Sequence, residues 1–152
     1  MDEKNIKMDS NKLIAEFMGK LGNVDFHDDK GFVPVYWYTG INGGHKTPYK
    51  EDELEYHKSW DWLMGVVDKI ENMDLSETGY SWEGIDGETE YNNQNICVEI
   101  ERNQCWIYMN LQLDPVHTIN AETFNKKCDT KIEAVYNAIV EFIGWYNKLN
   151  KK

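Results

Sequence analysis

Ile96-Cys97-Val98-Glu99-Ile100-Glu101-Arg102-Asn103-Gln104-Cys105-Trp106-Ile107-Tyr108-Met109-Asn110-Leu111 carries the plainest period in the chain. Ile96, Val98 and Ile100 alternate with Cys97, Glu99 and Glu101, which is the pattern of a strand with one face on a core. The polar triplet Arg102-Asn103-Gln104 then turns the chain into a second β-branched and aromatic run, so the stretch predicts an antiparallel hairpin. A two-stranded ribbon cannot stand alone in water and needs helices or further strands against its apolar face.

Those helices are legible on both sides. Downstream, a polar connection through Pro115 and His117 leads to Thr130-Lys131-Ile132-Glu133, which fits a capping box, and Ile132, Val135, Ile139, Phe142 and Tyr146 form the stripe of a long helix. Upstream, residues 74 to 95 are dense in turn-formers around Tyr80, Trp82 and Ile85, predicting a loop or irregular strand. Before them, Trp60, Leu63, Val67 and Ile70 recur at helical spacing with Ser59 as N-cap, and Glu51 to His57 can add an earlier turn.

Phe32-Val33-Pro34-Val35-Tyr36-Trp37-Tyr38 reads as a strand that Pro34 confines to an edge or a strand start, after a polar run from Asn23 to Lys30. Thr39 to Pro48 reads as a long Gly-rich loop. Nearest the N-terminus, Asp9 or Ser10 can cap a short helix with Leu13, Ile14, Phe17 and Met18 on its apolar face and Gly19 at its end, which leaves residues 1–8 as a flexible tail. The order α-β-α-β-β-α predicts a single α+β domain over 9–150, a short antiparallel sheet packed with three helices.

At 152 residues, with 41% apolar residues, the chain can build a sizeable core. Its 27 acidic residues outnumber 16 basic ones for a net charge of -11, which opposes any long grip on nucleic acid or anionic lipid. No apolar run reaches the roughly 18–20 residues of a membrane span, and MDEKNIKMDSNK lacks the apolar core of a signal peptide. A cytoplasmic protein is expected. Cys97, Cys105 and Cys128 are odd in number and without CxxC spacing, so structural thiols are expected in place of a disulfide framework.

Candidate chemistry is sparse. His27, His45, His57 and His117 are scattered, with no pair at the spacing that sets two imidazoles on one helical face, so neither a metal nor a cofactor is expected. The cysteines lie in no nucleophile motif, and the acids look like solvated faces, so no catalytic residue is assigned. Gly40-Ile41-Asn42-Gly43-Gly44-His45-Lys46-Thr47 fails the P-loop pattern, because His45 intervenes between Gly44 and Lys46. Its glycines still permit backbone N–H groups to converge on an anion, although taken alone the segment reads first as an exposed flexible loop.

Around that loop the aromatics crowd. Tyr36, Trp37 and Tyr38 precede it, Tyr56 comes after it, and Trp82 stands in the next loop, offering π-faces beside backbone donors and a lysine. The expected ligand-binding set is therefore Tyr36, Trp37, Tyr38, Gly43, Gly44, His45, Lys46, Tyr56 and Trp82, for a nucleotide-derived small molecule. The same aromatics also suit a small core or the interface of a homo-oligomer.

Three segments together resemble a known group: Asn11-Lys12-Leu13-Ile14-Ala15-Glu16-Phe17-Met18-Gly19, Tyr56-His57-Lys58-Ser59-Trp60-Asp61-Trp62-Leu63-Met64 continuing through Glu71, and Thr130 to Ala138 continuing to Asn147. They are similar to small phage and prophage proteins akin to the phage ABA sandwich domain. The resemblance implies an accessory protein of the host bacterial cytoplasm that acts by binding and is not an enzyme. Several unrelated phage families sequester nucleotide signals of bacterial immunity, such as cyclic ADP-ribose isomers or cyclic dinucleotides, and the resemblance makes such a sponge the leading expectation. An acidic inhibitor that occludes a host protein is the rival, and a nucleotide-cleaving enzyme with His45 or His57 as base comes third.

Overall fold

The computed structural model describes residues 3–25, 32–39, 46–73, 82–83, 90–91, 95–112 and 118–150. The expected loop residues Gly43, Gly44 and His45, together with His27, Tyr80, Ile85, Pro115 and His117, lie outside the described residues. Contacts group the chain into two compact units, Met1–Ser59 and Trp60–Lys152. Helices and small antiparallel sheets make the fold α+β.

The first unit opens with α1, Glu3–Phe17. The helix starts within the segment expected as a tail, and Asp9 and Ser10 sit inside it. Physical support for the longer start comes from Glu3, an acid in the first turn where the helix dipole favours it, paired at 3.1 Å with Lys7 one turn on. Its end agrees with the expectation. Gly19 adopts φ 70 and donates its N–H to Glu16 O at 2.9 Å, while Lys20 N–H reaches Ala15 O at 3.0 Å, the two bonds of a Schellman cap.

Three strands come next, β1 (Leu21–Asp25), β2 (Phe32–Thr39) and β3 (Lys46–Tyr49), in the order β1-β2-β3 and antiparallel. Neither β1 nor β3 shows a strand pattern in sequence, since Leu-Gly-Asn-Val-Asp and Lys-Thr-Pro-Tyr lack a β-branched run; backbone pairing to β2 overrides their propensity. Pro34 therefore lies in the central strand and not on an edge. It is tolerated because β3 pairs only with Tyr36 to Thr39 and stops short of it, leaving Asn23 of β1 opposite. A 3-10 turn, Glu51–Glu53, is closed by the Glu53 carboxylate, which accepts from Lys50 N–H at 2.7 Å. Ile14, Ala15, Val35, Tyr36, Leu54 and Tyr56 are buried here.

In the second unit α2 spans Trp60–Glu71, the two-residue strands β4 (Trp82–Glu83) and β5 (Glu90–Tyr91) pair, and β6 (Asn95–Glu101), β7 (Gln104–Gln112) and β8 (Thr118–Lys127) form a sheet before α3, Lys131–Asn150. The hairpin is as expected, with Glu101 opposite Gln104 across Arg102-Asn103. Ile96, Val98 and Ile100 stand opposite Met109, Ile107 and Cys105 on one face. Helices α2 and α3 pack on this sheet.

β8 replaces part of the expected polar connection. Thr123 and Asn125 are exposed while Phe124 between them meets the helix, with ring centroids 5.7 Å from Phe142 and 5.6 Å from Trp145. Thr130 Oγ1 accepts the Glu133 N–H at 3.3 Å, the hydroxyl half of the capping box. In α2 the buried stripe is Leu63, Val66, Val67 and Ile70, whereas Trp60, expected within it, stays 38% exposed. A helical side chain covers the turn before its own Cα, and the first residue has no such turn to lie on.

Candidate functional site

Within the first unit, α1 and the segment after β3 enclose a cavity of about 460 Å³, inside the size range of small-molecule sites. From α1 come Glu3, Lys4, Lys7, Met8 and Asn11, spaced so that one helical face supplies them. The 3-10 turn contributes Glu51 and Asp52, and the residues just beyond it contribute Leu54 and His57.

Asn11 joins the two walls. It is only 2% exposed, in the stripe that also buries Ile14 and Ala15, and its Nδ2 donates to Leu54 O at 3.0 Å and to His57 Nδ1 at 2.9 Å. Both amide hydrogens are thereby used, which fixes the orientation of the carboxamide. Its Oδ1 is buried with no partner among the described residues. A buried acceptor left so costs about 1–3 kcal/mol.

The bond to Asn11 makes His57 Nδ1 the acceptor, so the ring's proton sits on Nε2. Burial lowers the His57 pKa, Lys7 and Lys58 lower it further, and Glu55 opposes them. The imidazole is neutral at pH 7. Charge around the cavity is divided by element: two lysines on α1, two carboxylates on the turn, and Glu3 paired to Lys7 at 3.1 Å. Lys12, next to Asn11 on α1, reaches across to Glu51 at 3.5 Å.

Of the residues expected to bind ligand, Tyr36, Trp37 and Tyr56 are not part of the lining of this cavity. Tyr36 and Tyr56 are packed inside the first unit at 0% and 1% exposure. The Tyr36 hydroxyl is buried without a partner among the described residues, and burial, then Glu16 and Glu51, push its pKa up to about 12. Trp37 is half-buried in β2, with its backbone N–H donated to Lys20 O at 2.9 Å. Tyr38 and Lys46 are one register apart on the β2–β3 pair, Tyr38 opposite Thr47 and Lys46 opposite Thr39. Trp82 stands in the other unit, opposite Tyr91.

The sequence held one signal for the cavity: Asn11 falls on the apolar stripe of α1, three and four residues before Ile14 and Ala15, where a polar side chain needs partners. Among the described residues no group of three His, Cys, Asp or Glu could hold a metal ion. Cys105 is fully buried and its thiol is pushed up to about 12 by that burial. Among the described residues no helix is long and apolar enough to cross a membrane. No protein-family model, curated protein or solved structure matches the chain.

Proposed function

We propose that this chain is a binding protein that holds a nucleotide-derived small molecule in the α1 cavity without cleaving it. The observation that carries this reading is a cavity of about 460 Å³ with lysines on its α1 wall and carboxylates on the wall made by the 3-10 turn. Such a volume suits one mononucleotide-sized ligand, and a mixed lining of lysines, carboxylates, Met8 and Leu54 offers it both polar and apolar contact. The likeness of three segments to small phage proteins supplies the setting, a protein that removes an immune signal from the host cytoplasm by sequestration. Titration calorimetry against a panel of mononucleotides, cyclic dinucleotides and cyclic ADP-ribose isomers is expected to give saturable one-site binding, with the ligand recovered intact on denaturation. A panel without a binder overturns the proposal, and recovery of a cleaved product replaces it with catalysis.

A second reading, an acidic inhibitor of a host protein, is favoured by α2. Trp60 and Met64, one turn apart, are 38% and 45% exposed beside the exposed acids Asp61 and Asp68. An isolated apolar pair flanked by carboxylates suits a basic protein surface. If this reading holds, Trp60→Ser with Met64→Ser abolishes a stoichiometric complex and leaves nucleotide binding untouched.

A further inference from the structure

We infer that the cavity orients its ligand by charge, seating an anionic group such as a phosphate on Lys4 and Lys7 and an N–H-bearing head toward Glu51 and Asp52; this deepens the binding reading above and rests on it. Both ammonium groups of the lining arrive on α1 and two of its three carboxylates arrive on the 3-10 turn, so the two walls differ in sign. Glu3 is the exception on α1, and its pair with Lys7 is an exposed one, 81% and 48% open, of the kind that an incoming phosphate displaces at little cost. The carboxylates of Glu51 and Asp52 only accept hydrogen bonds, so the turn is the wall that takes donors.

An aminopurine or aminopyrimidine edge carries the N–H donors that such a wall lacks, and a keto edge in the same place would set one acceptor against others. The balance of charge adds a limit. The two lysines match the roughly two negative charges of one phosphate, whereas a triphosphate brings about four beside the carboxylates of the lining, so one phosphate is accommodated and a triphosphate is resisted.

The test uses the intact protein and calorimetry with four commercial probes: adenosine monophosphate, adenosine, inosine monophosphate and adenosine triphosphate. Adenosine monophosphate is expected to bind at least about tenfold more tightly than each of the other three. Lys4→Gln with Lys7→Gln is expected to remove the advantage of the monophosphate over adenosine. Asp52→Asn is expected to narrow the gap between the adenine and hypoxanthine forms. Equal affinity for all four probes, or an advantage of the monophosphate that survives the double lysine variant, overturns the orientation while leaving a binding protein. Absence of binding by every probe and by the wider nucleotide panel instead overturns the binding reading beneath it.

Discussion

Asn11 Nδ2 and His57 Nδ1 stand 2.9 Å apart, and the bond between them places a histidine forty-six residues downstream under the control of a buried amide on the first helix. Because the same nitrogen also holds Leu54 O at 3.0 Å, one side chain ties α1 to the backbone and to the ring beyond the 3-10 turn. Protonation of Nδ1 removes the acceptor from this arrangement and sets two donors against each other.

Stability is therefore expected to depend on pH through His57. Its pKa is lowered from the ordinary 6.5 in the folded protein, chiefly by burial. In the unfolded chain the ring takes up a proton as pH falls through about 6.5, while the folded protein still resists it, so the unfolded state binds more protons and folding weakens. Above that pH the contribution is fully present; it is lost as pH falls toward the lower folded value. Urea midpoints measured between about pH 8 and pH 5 should fall more steeply for the native protein than for His57→Gln. Parallel curves for the two would show that His57 carries no linkage.

The Tyr36 hydroxyl offers a test of whether the first unit hides a bound donor or acceptor. It is fully buried, unpartnered among the described residues, and held un-ionised by burial and by the nearby Glu16 and Glu51. Removing a polar group that has nothing to bond costs no hydrogen bond, so Tyr36→Phe is expected to leave stability unchanged or raise it by about 1 kcal/mol in chemical denaturation. A loss of that size would reveal a partner held by the hydroxyl.

Elements with a local cause are legible in the sequence. The 96–111 hairpin, the α2 stripe and the α3 capping box belong to this class, because period 2, period 3.6 and Thr130 with Glu133 are local signals. β1, β3 and β8 do not, since Leu21-Gly22-Asn23-Val24-Asp25 and Thr118 to Lys127 become strands only through the backbone of β2 and β7, a non-local cause that composition does not record. The cavity is hidden for a related reason. The aromatics are the louder signal, but Tyr36 and Tyr56 turn inward as core, and the cavity is built from Asn11 and His57, whose meeting depends on tertiary packing. Only the place of Asn11 on an apolar stripe hints at it.

Between β8 and α3 two contacts of different kind can be compared directly. Phe124 packs edge-on against Phe142 at 86° and against Trp145, while two residues along the same strand Lys126 pairs with Glu141 at 2.9 Å with both side chains nearly half exposed. Burial of an aromatic ring outweighs a solvated ion pair, so Phe124→Ala is expected to cost about 3–5 kcal/mol and Glu141→Ala less than about 1 kcal/mol. Denaturant titrations of both variants check this; comparable losses would mean that the strand is anchored by charge.

The turn of the β6–β7 hairpin stores backbone strain. Arg102 is the first of two residues between Glu101 and Gln104, and it carries φ 52, a left-handed conformation that an L side chain adopts at a cost of about 1–2 kcal/mol. Positive φ at this position alone is the pattern of hairpin turns that favour glycine there. The turn is held from outside by Asn103, whose Nδ2 donates to Asp129 O at 2.8 Å and whose carbonyl accepts Cys128 N–H at 3.0 Å, so the strain persists because its neighbour is fixed. Arg102→Gly relieves the strain but frees the unfolded backbone by about 0.5–1 kcal/mol, and the expected net effect is a gain of up to about 1 kcal/mol. Arg102→Val, with its β-branch pressed into the same conformation, is expected to lose at least about 1 kcal/mol. Thermal unfolding of the pair should therefore move in opposite directions from the native protein, and a Val variant as stable as the Gly one would show that this turn relaxes to negative φ in solution.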